Sequence, residues 1–160
     1  MKQGLIGIIS DTHGKFDPKI ADLFKNVSHI LHAGDIGKLR VLQELERIAP
    51  VTAVFGNIDE GNVPPGVGEE KILQICGVRI FMVHILGDPD RLTRTLQQKI
   101  DQAQPKVVVF GHSHQPLIQK HGEVLYFNPG SAGPKRFSLP RSLGLLKIDH
   151  GEPRGELIYL

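Results

Sequence analysis

Short apolar runs separated by helix-patterned stretches fill the first 110 residues, and their order leaves few architectures open. GLIGIIS at 4–10 reads as a buried strand, HILHAG at 29–34 as a second and VTAVFG at 51–56 as a third. Between the first two, a helix is expected with Asp17 as its cap and Pro18 at its first position. Between the next two, KLRVLQELERI at 38–48 sets Leu39, Leu42, Leu45 and Ile48 along one helical face, and Pro50 ends the pattern. Such an alternation favours parallel strands joined by right-handed crossovers, since a twisted strand feeding a helix packs back on its sheet only that way. Residues 70–85 change character: EKILQI and RIFMVHI flank C-G-V, a connection of hairpin length. A third helix is expected from Asp88 as cap and Pro89 as first residue to about Ala103, before the strand KVVVF. PLIQK, HGEVLYF, SLGLLKID and GELIYL are further short strands. The expected product is one domain over 1–160, two sheets face to face with helices outside, without repeat or linker.

Polar residues recur where these strands end. S-D-T-H-G places Asp11 and His13 after the first strand, A-G-D places Asp35 after the second, and F-G-N-I-D places Asn57 and Asp59 after the third. His84 ends the fifth strand, and G-H-S-H puts His112 and His114 after the sixth. An α/β sheet presents its ligand crevice outside the carboxyl ends of its strands. In extended backbone, side chains at i and i+2 share a side, so His112 and His114 are expected to face one spot.

Composition narrows the partners. A net charge of +2 is nearly balanced and carries no strong nucleic-acid signal, although it would not repel a small phosphorylated substrate. Cys76 is the only cysteine, so an intrachain disulfide and a cysteine-based zinc knuckle are both excluded. The N-terminal MKQGLIGIIS lacks the apolar core and cleavage site of a leader, and no segment approaches the ~20 apolar residues of a membrane span. A cytoplasmic protein is the expectation. Association between copies leaves no signature here and stays open.

Asp11, His13, Asp35, Asn57, His84, His112 and His114 are too many donors for one ordinary ion but suit two ions sharing one carboxylate. Mixed nitrogen and oxygen donors without thiolate favour manganese, iron, zinc, nickel or cobalt over calcium or copper(I). Two such ions roughly 3.5–4 Å apart clamp both oxygens of an in-line phosphoryl displacement. The chemistry expected of the donor set is phosphoester hydrolysis.

The ordered motifs D-T-H at 11–13, G-D at 34–35, G-N at 56–57, His84 and G-H-S-H at 111–114 resemble the calcineurin-like metallophosphoesterase superfamily. NPGS at 128–131 and the chain length are similar to its small bacterial and archaeal phosphodiesterase branch. The resemblance implies a four-layer αββα sandwich of two mixed sheets flanked by helices. It implies two divalent metals, manganese first, with Asp11, His13 and His114 on one, Asn57, His84 and His112 on the other, and Asp35 bridging both. It also implies a bridging hydroxide as nucleophile, a small phosphodiester as substrate, and Asp35, Asn57 and His84 as catalytic residues. Two departures stand out. Ile58 occupies a position where many relatives carry a histidine that protonates the departing oxygen, and a missing general acid typically removes ~10²- to 10⁴-fold. Leu86 in HILGD replaces the second histidine of H-G-H, which would alter access to the site.

Blander roles compete for each residue. Asp11 or Asp35 alone would read as a cap or turn former, Gly34, Gly56 and Gly111 as permitting tight turns, and Asn57 as an Asx-turn residue. Recurrence at successive strand ends, with histidines that no cap requires, favours a joint site. His29, His32, His121 and His150 read as structural, and Arg136 and Arg141 as surface charges. Asp59 is either a turn residue or a group that orients a ligand. Asn128 and Ser131 either approach substrate phosphate or form an ordinary turn. Two other functions compete with this one. A protein-binding scaffold of the same fold, like the retromer subunit, has degraded ligands, whereas this set is intact. A dinucleotide-binding domain needs a glycine fingerprint, and SDTHGK holds one glycine.

Overall fold

Successive strand residues face opposite sides of a sheet, and that parity sorts the apolar side chains of this chain into three layers. The computed structural model describes residues 3–160, so Met1 and Lys2 of the N-terminal stretch read as leaderless lie outside the described residues. In chain order the elements are β1 (Gly4–Ile9), α1 (Lys19–Leu23), β2 (His29–His32), α2 (Leu39–Glu46), β3 (Val51–Ala53), β4 (Glu70–Ile75), β5 (Val78–Val83), α3 (Arg94–Ala103), β6 (Val107–Val109), β7 (Leu117–His121), β8 (Val124–Asn128), β9 (Ser142–Asp149) and β10 (Glu152–Tyr159). They form two five-stranded sheets, β10-β9-β1-β2-β3 and β4-β5-β6-β8-β7. Within them β1, β2 and β3 run parallel, as do β5, β6 and β8, and the remaining neighbours are antiparallel.

Ile6, Ile8, Leu31, Val78, Ile80, Met82, Val107, Val109 and Phe127 fill the layer between the sheets. The opposite parity of β1 and β2 sends Ile9 and Ile30 outward against Ile20 and Phe24 at α1 and Val41, Leu42 and Leu45 of α2. On the second sheet Phe81, Val108, Phe110 and Tyr126 meet Ile100 and Ala103 of α3. The result is the αββα sandwich. Each fully buried Leu, Ile or Phe contributes about 1.5–3 kcal/mol, so the three layers carry most of the stability. No helix among the described residues is long and apolar enough to cross a membrane.

Several local expectations shift. α3 begins at Arg94 rather than Pro89, because Asp88 closes its own turn, accepting from Asp90 N at 2.9 Å, while Thr93 Oγ1 accepts from Leu96 N and caps the helix. α1 begins at Lys19, one residue past Pro18, although Asp17 still accepts from Lys19 N at 2.9 Å. Leu39 lies 51% exposed, off the buried face of α2, where Val41 takes its place. The expected hairpin turns on two residues, Cys76 and Gly77, both at positive φ (51° and 80°), the pattern that matches the twist of an antiparallel pair.

Candidate metal centre

The parallel strands all deliver their carboxyl ends to one rim, and the loops that follow are stitched together by their backbones. Asp11 N donates to Gly34 O, His13 N to Asp35 O and Gly14 N to Ile36 O, at 2.7–2.9 Å, so the D-T-H and G-D loops form one unit. Gly111 N donates to His84 O at 3.0 Å and does the same for the second sheet. On this rim two groups of three side chains assemble, Asp11–His13–His114 and Asp35–His84–His112, the donor atoms of each within 4.8 Å of one another. Asn57 joins the second group, its Oδ1 lying 3.2 Å from His112 Nδ1. All seven donors singled out in the sequence are therefore neighbours.

The backbone route to this convergence differs from the extended one expected. β6 stops at Val109, and His112 and His114 sit at φ 73° and 62°, so left-handed turns place them, one in each group. Asp11, His13 and Asp35 are left-handed too, at φ 55°, 48° and 54°. Asp and His tolerate this region better than most residues, yet each such residue costs on the order of 1 kcal/mol, and five together mark a strained constellation. The motif glycines serve a purpose beyond tight turns. Gly34 has φ +103°, but Gly56 and Gly111 are needed for room: a Cβ on Gly56 would lie 2.1 Å from Asp35 Oδ1, and one on Gly111 2.7 Å from Asp11 Oδ2.

Hydrogen bonds dictate which atoms face inward. Asp11 Oδ2 accepts from Ser10 Oγ (2.6 Å) and His112 N (3.1 Å), leaving buried Oδ1 without a partner. Asp35 Oδ1 accepts from Ile58 N at 3.1 Å, which turns Oδ2 toward His84 Nε2 (3.2 Å) and His13 Nε2 (3.6 Å). His84 Nδ1 donates to Ala33 O at 2.7 Å, which aims its Nε2 at those carboxylates, without a hydrogen bond to either. Burial opposes a charge on His84, but the contact with Asp35 and the charge of Asp11 outweigh it and hold the imidazole above its ordinary range. Burial likewise opposes the Asp35 carboxylate, and His84 outweighs it and holds it below the usual range. This crowd of lone pairs calls for positive charge in its midst. Two donors each ~2.1 Å from one metal ion lie about 3.0–3.4 Å apart. Three of the observed separations fall in that range, His114 Nε2–Asp11 Oδ1 3.3 Å, His13 Nε2–His114 Nε2 3.3 Å and His84 Nε2–Asp35 Oδ2 3.2 Å, while His13 Nε2–Asp11 Oδ1 is wider at 3.9 Å.

A shell of buried groups orients the donors. Asp59 accepts from Ile36 N, Gly37 N and Gly56 N at 2.9–3.0 Å, so it is both a turn residue and the clasp between the Asp35 and Asn57 loops. Asn128 and Ser131 face the backbone rather than open space: Asn128 Nδ2 donates to Gly111 O and Ser131 Oγ to Asp11 O, both side chains being buried. Arg141 is no free surface charge, since it donates to Gly133 O, Ala132 O and Asp17 Oδ2 and straps the N-P-G-S loop down. His32 is structural. Its Nδ1 accepts from Gly34 N, so Nε2 carries the proton toward Thr12 Oγ1, which donates to Ile36 O, and burial pushes its pKa down to about 4. His29, His121 and His150 pair with Thr52, Asp90 and Asp149, away from the donors. Leu86 is buried with Phe110 against α3 and does not control access; exposed Ile58 and Ile85 flank the donors instead. Sequence reasoning missed the roles of Ser10, whose one signal is adjacency to the D-T-H motif, and of Thr12, the middle residue of that motif, as well as the strap of Arg141, which carries no signal.

Residues 5–151 match the calcineurin-like phosphoesterase superfamily domain. The chain is 34% identical to a protein named "Probable metallophosphoesterase" from Methanothermobacter thermautotrophicus, over 96% of this chain and 91% of that one. It is 28% identical to a phosphodiesterase of Methanocaldococcus jannaschii, over 93% and 96%. Among solved structures, that of a novel archaeal phosphodiesterase superposes with TM-score 0.76 at 25% identity, covering 98% of this chain and 99% of that one. Vacuolar Protein Sorting 29 of Cryptosporidium parvum superposes at 0.78 with 21% identity, over 99% and 98%, a likeness of fold.

Proposed function

The chain belongs to the calcineurin-like phosphoesterase superfamily, and from that premise we propose that it is a metal-dependent phosphodiesterase whose seven rim donors hold two divalent ions. Asp11, His13 and His114 would hold one, Asn57, His84 and His112 the other, and Asp35, whose Oδ2 is near His84 and His13, would touch both. When bound, such a pair acidifies water and neutralises charge on the phosphoryl oxygens. The observation that carries the reading is the meeting of seven nitrogen and oxygen donors on one rim, where buried Asp11 Oδ1 and His84 Nε2 lack hydrogen-bond partners and lie 3.3 Å from His114 Nε2 and 3.2 Å from Asp35 Oδ2 respectively. The donor chemistry suits manganese first, with nickel, zinc, iron and cobalt as alternatives.

The chain's own residues set the substrate preference. Ile85 lines the cleft beside His84, Ile58 lies exposed next to Asn57, and neither can donate a proton or accept one. Departure of the alcohol must then rely on its own acidity. Diesters and acidic leaving groups are accordingly favoured over alkyl monoesters. The test compares bis-p-nitrophenyl phosphate with p-nitrophenyl phosphate on protein stripped of metal and reloaded with manganese, nickel or zinc. The diester is expected to turn over faster; activity that survives rigorous chelation defeats the reading. The scaffold reading, which the likeness to Vacuolar Protein Sorting 29 keeps in view, expects no turnover with any metal.

A further inference from the structure

The two flanks of the rim carry opposite charge. Beside Asn57 and His84 the cleft wall holds Glu60 and Glu69. Beside His13 and His114 a second cavity is walled by Pro134, Lys135 and Arg136. Lys38 lays its stem along Gly14, the residue after His13, and adds to the positive side. Among the described residues the ion pairs of Lys and Arg involve Arg47, Lys99, Lys106 and Arg141, so Lys135 and Arg136 face that cavity uncommitted.

The segment that presents them has a fixed base and a displayed tip. At the base, Arg141 grips two carbonyls, and Gly133 passes so close to the D-T-H loop that a Cβ there would lie 2.4 Å from Asp11 O and Thr12 O. At the tip, Leu139 N donates to Arg136 O and closes a turn that lifts Phe137 to 89% exposure at φ 53°. A bulky aromatic residue that is both solvated and left-handed is disfavoured twice over, and such outliers gather at functional sites. Two free cations next to a displayed aromatic ring are the parts from which single-stranded nucleic acid sites are made, the cations tracking phosphate and the ring stacking on a base.

We propose that Lys135 and Arg136 form a subsite for a second phosphate and that Phe137 stacks on the adjoining base, so that the substrate class is an oligonucleotide phosphodiester. The acidic wall opposite repels phosphate, which gives the strand one direction of entry. This rests on the phosphodiesterase reading of the rim.

On metal-loaded protein, diester cleavage in TpTpT is expected to exceed that in TpT by about tenfold or more in kcat/KM per bond. The double variant Lys135→Ala/Arg136→Ala should bring that ratio below about three, whereas Lys147→Ala, on the exposed face of β9, leaves it in place. Phe137→Ala should raise KM for both about tenfold through lost stacking, and Phe137→Trp should restore it. Fluorescein-labelled decathymidylate, read by anisotropy in an Asp35→Ala background that blocks turnover, should bind at least tenfold more weakly to the double variant, with a log–log salt slope shallower by about 1.4 for two lost contacts. Failure to hydrolyse bis-p-nitrophenyl phosphate after reloading sinks the phosphodiesterase reading, and the anisotropy result then decides the subsite alone. Turnover of that diester with no gain for TpTpT, or binding indifferent to the double variant, overturns the subsite while the rim reading stands. Nucleotide binding untouched by Phe137→Ala overturns the stacking role.

Discussion

The layer between the sheets and the rim along their carboxyl ends are built on opposite terms. Between the sheets the strands follow local preference: β-branched, aliphatic and aromatic side chains point inward from regular strands, and burial is complete for Ile6, Ile80, Val109 and Phe127. At the rim five of the seven donors adopt a backbone that local preference disfavours, and buried polar atoms face one another without partners. The difference teaches that the sandwich supplies the stability which the rim consumes, as expected where strain is held in place by an over-determined surround. Mutations in the two regions should then move stability and activity in different directions.

The largest effect belongs to the rim's shared carboxylate. Asp35→Ala is expected to lower turnover of bis-p-nitrophenyl phosphate by more than about 10³-fold while circular dichroism and thermal unfolding still report a folded chain. Next comes the inner layer, where Phe127→Ala should cost about 3–5 kcal/mol in urea unfolding. An unfolding free energy that barely changes would contradict the division of labour. Asp59 joins the regions, and Asp59→Ala, which strands three backbone N–H groups, should weaken metal binding about 10- to 100-fold by calorimetry. The sharpest test is a change of sign. His112→Gly removes an exposed side chain from a left-handed position, so the metal-free protein should gain about 1 kcal/mol as activity disappears. A loss of stability there would mean that the left-handed backbone carries no strain.

The smallest effect sits at the strap. The Lys19 backbone N–H, against some burial, and then Arg141 hold the Asp17 carboxyl below the usual carboxylate range. A depressed carboxyl stabilises the fold above its unfolded pKa and loses that contribution as pH falls through the folded value. Asp17→Asn is thus expected to cost less than about 1 kcal/mol at neutral pH, a difference that fades as the pH falls below the usual carboxylate range.

Much of this architecture was legible because it is local. Alternation of Ile6 and Ile8 with outward residues, the Cys76-Gly77 connection and the spacing of α2 are properties of neighbouring residues. Misreadings fell where two local signals competed. Asp88-Pro89 resembles a helix start as strongly as Thr93 does, and the choice rests on Asp88 closing its own turn. Arg141 differs from its expected role as a surface charge for another reason: its partner Asp17 lies across the fold, at a separation of 124 residues, and for Asn128 the turn alternative holds, its Oδ1 accepting from Gly130 N at 2.9 Å.

Donor identity, donor order and their places after strands are written in the sequence, because strand periodicity and side-chain chemistry depend on each residue and its close neighbours. Which oxygen of Asp11 stays free was decided only by the folded chain, since Ser10 Oγ and the N–H of His112, 101 residues on, must arrive together to occupy the other. The left-handed ligand backbones and the tautomer of His32 were decided there too. These depend on hydrogen-bond partners brought from distant segments, and only tertiary packing can deliver them.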